Sequence, residues 1–329
     1  TYDRFRETDQ DFTPDVLFEE ISTDEAWQFT QELRLAGEFD DTPLRWEAGG
    51  YYLMEQLSSR IESFLQVDSQ APRRVYEQDT WSFAFYGGFS WDFLDDFTLE
   101  GGVRYNWERK DFDFTVSTPF RLIPKVKRAL NSSIWQAPTG TISLSYRFNE
   151  DVSVYWKYSR GWKGGHYNAS ALFESIEGGR VDEGEPPGSL EPVKPETIDA
   201  FEAGLRGRFF DGRLGLGLAL FYYKYVDYQV FVVEDDLGAP PSYIIVNAND
   251  AELYGAELDL RAEPFAGWLP PAFDGLVLTG RLGWLESQFL DFTNEVYRNR
   301  LLPDPDTPSG FRGVTLPIVV DYSGNQLIN

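Results

Sequence analysis

The chain has no cysteine, which removes disulfides, thiolate metal sites and cysteine nucleophiles from consideration. It has one histidine, His166, and one methionine, Met54. A lone imidazole without a second one nearby does not make a zinc site, and no metal or cofactor is expected. No apolar run reaches the roughly eighteen residues that a membrane-spanning helix needs. Any passage through a bilayer must therefore use strands, whose alternating pattern raises no hydropathy peak. Positive charge is also scarce, with 29 Lys and Arg against 54 Asp and Glu and a formal net charge of -25. Binding to phosphate backbones needs clustered cations, so no nucleic-acid partner is expected. High net charge can mark disorder, but 42% hydrophobic content supplies enough apolar surface for a core or a lipid-facing wall. What is abundant is aromatic: 26 Phe, 18 Tyr and 10 Trp, the vocabulary of strands.

Alternation with a period of two runs through the chain. Leu99, Gly101, Val103, Tyr105 and Trp107 alternate with Glu100, Gly102, Arg104, Asn106 and Glu108. Ile142, Leu144, Tyr146 and Phe148 do the same, as do Val152, Val154, Trp156 and Tyr158. Phe201, Ala203, Leu205 and Phe209 oppose Glu202, Arg206 and Arg208, and Leu214, Leu216, Leu218 and Leu220 oppose small residues. Finally, Tyr254, Ala256, Leu258 and Leu260 oppose Glu257, Asp259 and Arg261. One face of each strand is greasy and the other carries ions.

A soluble β-sandwich also alternates, so the joints decide. Short turns at Phe93-Leu94-Asp95-Asp96, Phe148-Asn149-Glu150-Asp151 and Phe210-Asp211-Gly212-Arg213 are interleaved with long polar stretches over 56–78, 110–136, 161–194 and 291–316, taken as loops. Tight turns at one end and long loops at the other are the asymmetry of outer-membrane barrels. The pattern predicts about eleven to twelve strands between Ala26 and Ser323, with weaker ones near Thr1 and Val319. Aromatic strand ends, as in Trp81, Phe83, Phe85, Phe89 and Trp91 or Tyr222, Tyr223, Tyr225 and Tyr228, suit interfacial girdles.

Several stretches in order resemble the barrel of TonB-dependent outer-membrane receptors. They are Phe29-Thr30-Gln31-Glu32-Leu33-Arg34-Leu35 with the hairpin through Trp46 to Tyr52, the Gly-x-Arg-Tyr strand ending at Gly102-Val103-Arg104-Tyr105, and Gly161-Trp162-Lys163-Gly164-Gly165-His166-Tyr167-Asn168. Lys194-Pro195-Glu196-Thr197, Asp211-Gly212-Arg213-Leu214, and Asn247-Ala248 through Tyr254-Gly255-Ala256-Glu257 follow. The resemblance implies an all-β fold, a transmembrane antiparallel up-and-down β-barrel. Residues 1–329 are then expected to form an incomplete portion of a presumed 22-stranded barrel, with the N-terminal plug domain and the last strands outside this sequence.

The resemblance further implies an active-transport receptor of the bacterial cell outer membrane for a scarce bulky nutrient, of the siderophore, cobalamin or carbohydrate class. Its partners would be outer-membrane lipid and lipopolysaccharide, the small-molecule nutrient, and the TonB complex through a missing N-terminal region. No covalent chemistry is required and no catalytic residue is assigned. A Ser-His-Asp triad would have to use His166, and no Gly-x-Ser-x-Gly elbow, Walker loop or dinucleotide fingerprint occurs. Substrate contacts are expected at a loop base, from Trp162, His166, Tyr167 and Asn168, against the alternative that this Gly-rich segment is a hinge at a strand end. Acidic groups at Asp182, Glu183 and Glu185 and at Glu234, Asp235 and Asp236 lack the spacing of a Ca²⁺ loop and are expected to be solvated. Inward ions such as Arg104, Glu202, Arg206, Glu257 and Asp259 are expected to tie wall to plug. A passive porin and a soluble all-β carbohydrate-binding or scaffold protein are the competing assignments.

Overall fold

The structure, a computed structural model, describes residues 2–9, 18–65, 73–118, 125–168, 192–234, 242–248, 250–264, 275–290, 301–303 and 311–313. Among these residues there is no helix. Eleven strands form one antiparallel up-and-down sheet. They are β1 (Tyr2–Asp9), β2 (Phe18–Phe39), β3 (Thr42–Leu65), β4 (Arg73–Leu94), β5 (Phe97–Thr118), β6 (Lys125–Arg147), β7 (Val152–Lys163), β8 (Glu196–Phe209), β9 (Leu214–Val226), β12 (Ala251–Ala262) and β13 (Leu278–Phe289). Between β9 and β12, the hairpin of β10 (Tyr228–Glu234) and β11 (Ser242–Ala248) continues upward as a separate two-stranded sheet. A second small pair joins β14 (Leu301–Pro303) and β15 (Phe311–Gly313).

The register sorts side chains into two faces. Pairing of Phe85 with Tyr105, Leu99 with Leu144, Leu144 with Trp156, Trp156 with Ala203, and Leu218 with Leu258 puts the apolar series of every strand on one side. Those side chains stay open: Leu33 is 69% exposed, Phe85 71% and Val103 72%. No sheet or helical layer of the described residues covers them, which rules out a sandwich core and marks this as the outer, lipid-facing surface. The opposite, inner face carries Glu32, Arg34, Glu47, Arg104, Glu202, Arg206, Glu257 and Asp259.

On β4 the outer series Trp81, Phe83, Phe85, Gly87, Phe89 and Trp91 contains no polar side chain. This span of about 33 Å, tilted by roughly 45°, covers about 25 Å of bilayer, the height of a barrel's apolar band. Immediately above it, Asp79 faces Asp111 and Glu77 faces Asp113 across the β4–β5 ladder. Like charges directly opposite are tolerable only in water. The rung of Trp81 and Arg109, whose guanidinium lies 5.8 Å from the indole centroid, is thus the upper membrane boundary.

Two expectations need correction. The stretches 56–78 and 110–136 are largely strand, because β3 to β6 run 22 to 24 residues, about 75 Å, and rise well beyond the membrane. Above the bilayer water reaches the outer side, so the greasy-outside rule no longer shapes the sequence while the hairpins stay paired. Between Ala26 and Ser323 the described residues hold fourteen strands in place of eleven to twelve, the pairs β10–β11 and β14–β15 lying outside the main sheet. The tyrosine run also divides: Tyr222 lies on the outer face, whereas Tyr223 and Tyr225 point inward. The strand expected near Thr1 is β1; the one near Val319 falls outside the described residues, as do the acidic groups at Asp182 and Asp235.

The tight connections lie at the other end. Thr42 follows β2 after two residues, and the Phe210 and Asp211 backbones adopt φ of 55° and 54° ahead of Gly212 at 84°, which lets β8 reverse into β9. Asn149 Oδ1 accepts the N–H groups of Asp151 and Val152 at 2.9 Å each, an Asx-type turn between β6 and β7.

Candidate functional site

On the inner face of β2 to β6 the strands leave a groove of about 1120 Å³. Its floor opens where Gly88 and Gly102 sit opposite each other and present no side chain. Its walls are ionic. Arg34 pairs with Glu47, Tyr86 donates to Glu32 at 2.6 Å, and Arg45 donates to Ser90 at 3.1 Å. Arg104 lies 5.3 Å from the Tyr51 ring centroid and 5.8 Å from that of Tyr86, and donates to Asn106 at 2.7 Å. Asn106 is buried and in turn donates to Ala137 O and Thr139 Oγ1 at 3.2 and 3.1 Å. The pairs are half exposed, so each contributes about 0–1 kcal/mol to stability. Charges held this loosely remain available to an occupant of the lumen.

The second feature is at the upper end of the inner face. β7 pairs with β6 only as far as Gly140 with Arg160, and Pro138, two residues further on, has no N–H to offer. The chain beyond Lys163 instead crosses the inner face of the rising β5–β6 hairpin. Lys110 Nζ donates to Gly165 O at 2.7 Å and lies 3.2 Å from Glu108 and 5.7 Å from the Trp135 ring centroid. A Cβ at Gly165 would collide with the Trp135 ring, so only glycine passes here. His166 forms an isolated bridge with Val193, whose N–H donates to His166 O at 2.8 Å. Tyr167 is buried, stacked 4.9 Å from Phe112 at 17°, and donates to Ser133 at 2.7 Å.

Of the four residues expected at a loop base, the structure brings three together. His166, Tyr167 and Asn168 share this inner corner, while Trp162, which pairs with Thr197, lies on the outer side in register with Trp156. Burial holds His166 down to about 4 from its usual 6.5, reinforced by the charges of Lys110 and Lys163, so the imidazole is neutral at neutral pH. Burial likewise raises the Tyr167 phenol, against the hydrogen bond to Ser133.

The hairpin β10–β11 closes the corner through side chains that imitate peptide groups. Asn168 donates to Ile245 O at 2.6 Å and accepts Ile245 N–H at 2.9 Å. Asn247 accepts Lys194 N–H at 2.8 Å and donates to Lys194 O at 3.0 Å and Asp227 O at 2.7 Å. Gln229 donates to Gly164 O and Lys194 O at 3.1 and 2.8 Å, and its N–H reaches Glu196 at 2.8 Å. Sequence reasoning missed Glu108, Lys110, Phe112, Trp135 and Gln229. A signal existed for the aromatics: alternation inverts at Lys110, from apolar odd residues through Trp107 to apolar Phe112 and Phe114, which are buried inside.

A single-layer sheet with a lipid-exposed apolar band, an ionic lumen face, tight turns below and tall hairpins above is the wall of an outer-membrane β-barrel. The family model for the TonB dependent receptor-like β-barrel matches residues 1–327, and the chain belongs to that family. Its members are transport receptors, not enzymes. Among solved structures, the chain is similar to the ferric yersiniabactin uptake receptor FyuA from Yersinia pestis, with 19% identity, a TM-score of 0.59, and coverage of 84% of this chain and 37% of that one. It is also similar to the copper transporter OprC (13%, TM-score 0.61, 83% and 39%) and to the ferric citrate transporter FecA in its unliganded form (16%, TM-score 0.57, 88% and 38%). The chain thus spans under two fifths of the length of these structures. At such identities the likeness is one of fold.

Proposed function

We propose that this chain is part of a receptor that actively imports a bulky nutrient across the outer membrane, energised through TonB. The observation that carries this is the division of one sheet into a bare apolar belt and an inner face whose loosely paired charges line an open groove. A wall of this kind can hold a lumen occupant through reversible ionic contacts. The groove of Glu32, Arg34, Glu47 and Arg104 would be where a plug domain rests. The corner of His166, Tyr167 and Asn168 would set the base of the loop that meets substrate, with Trp162 seated at the lipid boundary. Structural relatives named for ferric yersiniabactin, ferric citrate and copper support a metal-complex cargo, with cobalamin and carbohydrates as the other classes considered.

The test uses the full reading frame in cells. Uptake of radiolabelled ferric siderophores, ferric citrate, cobalamin and oligosaccharides is compared in strains with and without the receptor gene, each with and without TonB. Saturable uptake of one class that requires both is expected. Transport that persists without TonB and scales linearly with solute concentration would instead identify a passive pore.

A further inference from the structure

The geometry points to β10–β11 being a hinged hairpin whose docked position is held by a latch of carboxamide side chains: Asn247 and Gln229 act on backbone groups of the β7–β8 connection, and Asn168 of that connection acts on the β11 backbone. Several features favour a separate moving unit. β10 and β11 pair only with each other, outside the main sheet. The joint between β9 and β10 is Asp227, with φ of 53°, a left-handed conformation disfavoured for residues with a Cβ, though less for Asp and Asn than for others. Asn247 donates to Asp227 O, so the same side chain grips the joint and the docking partner Lys194.

The docked state is also incompletely satisfied. Two buried side-chain polar atoms at this corner, His166 Nε2 and Gln229 Oε1, lack a hydrogen-bond partner. Buried acceptors without donors penalise the arrangement that buries them. Joint strain and unmet acceptors therefore pull toward release, and six amide hydrogen bonds and the Gln229 N–H to Glu196 bond pull toward docking. Opposed terms of this kind make a two-position element, not a rigid extension of β9 and β12. Because Asn168 and Lys194 are the two roots of the intervening loop, undocking frees both roots together.

Hydrogen–deuterium exchange on the full receptor in detergent or vesicles tests this. In the wild type, amides of 228–234, 242–248 and 192–196 are expected to exchange as one group, faster than β9 and β12. Asn247→Ala should accelerate that group at least tenfold and leave β9 and β12 unchanged, while Asp227→Asn, better suited to a left-handed backbone, should slow it. The chain has no cysteine, so Asn168→Cys with Ile245→Cys gives a clean disulfide across the latch. Oxidation should slow exchange in 228–248 at least tenfold relative to the reduced form of the same protein. Unchanged exchange in Asn247→Ala, equal acceleration of β9 and β12, or no difference between oxidised and reduced protein would each overturn the inference. The disulfide comparison stands even if Asn247→Ala does not assemble.

Discussion

Twice on the inner face a tyrosine ring lies over a glycine of the adjacent strand, Tyr86 over Gly49 and Tyr155 over Gly204. The glycine leaves the strand surface bare, the ring covers the exposed backbone, and the phenol then reaches a carboxylate, Glu32 at 2.6 Å or Glu202 at 2.5 Å. Replacing Gly204 by Ala puts a Cβ inside the Tyr155 ring, which must rotate away and abandon Glu202. A destabilisation of about 1–3 kcal/mol is expected, read as a lower urea midpoint with an unchanged slope. His166 provides a pH-dependent residue effect. Its folded value of about 4 lies below the unfolded 6.5, so between these the unfolded corner binds more protons than the folded one. Its contribution is therefore complete above pH 6.5 and drains away as pH falls toward 4. Amide protection over 164–168, corrected for intrinsic exchange, should decline across that window. In His166→Gln the decline should vanish; a wild-type profile that stays flat from pH 7 to 4 would contradict the assignment.

Strands make the membrane boundary visible, and they also show where sequence reasoning stops working. Within the belt, alternation located β5, β7, β8, β9 and β12, because lipid on one side and water on the other impose opposite demands on successive residues. The turns at Asp95, Asn149 and Gly212 were legible for an equally local reason, their conformational chemistry. Above Trp81 and Arg109 both demands change, and Glu77, Asp111 and Asp113 read as loop although they sit on the β4–β5 ladder. The corner was half legible. Its Gly-rich tract singled out His166, Tyr167 and Asn168, but their partners Val193, Phe112, Ser133 and Ile245 are distant in sequence and carry no spacing signal. The same boundary yields a depth test. Val103→Arg, mid-belt, is expected to cost about 2–4 kcal/mol in a bilayer. Glu77→Lys, which faces Asp113 above the belt, should be neutral or stabilising by about 0.2–1 kcal/mol. Urea unfolding of the full receptor in vesicles distinguishes these, and equal effects at the two sites would mean that no hydrocarbon reaches Val103.

A sheet of eleven strands has two edges, and in hydrocarbon an edge is where the energetic cost concentrates. Every residue of β13 from Leu278 to Gln288 is exposed, on the lumen-facing as well as the lipid-facing side, and Leu282, Trp284 and Leu285 are all more than half open. Its backbone groups on the side away from β12 pair with no strand of the described residues. Each unpaired group in lipid costs several kcal/mol, so a dozen-residue edge outweighs the whole net stability of an ordinary domain. Closure against further strands is therefore a condition of insertion, in keeping with relatives whose length is more than twice the stretch matched here. Expressed alone and refolded into vesicles, residues 1–329 should give aggregates or mixed oligomers, and on gels no compact band that shifts on heating. The full reading frame should give a heat-modifiable monomer. Recovery of a protease-resistant, heat-modifiable monomer from residues 1–329 would show that β1 and β13 can meet, and that the wall closes as a small barrel of its own.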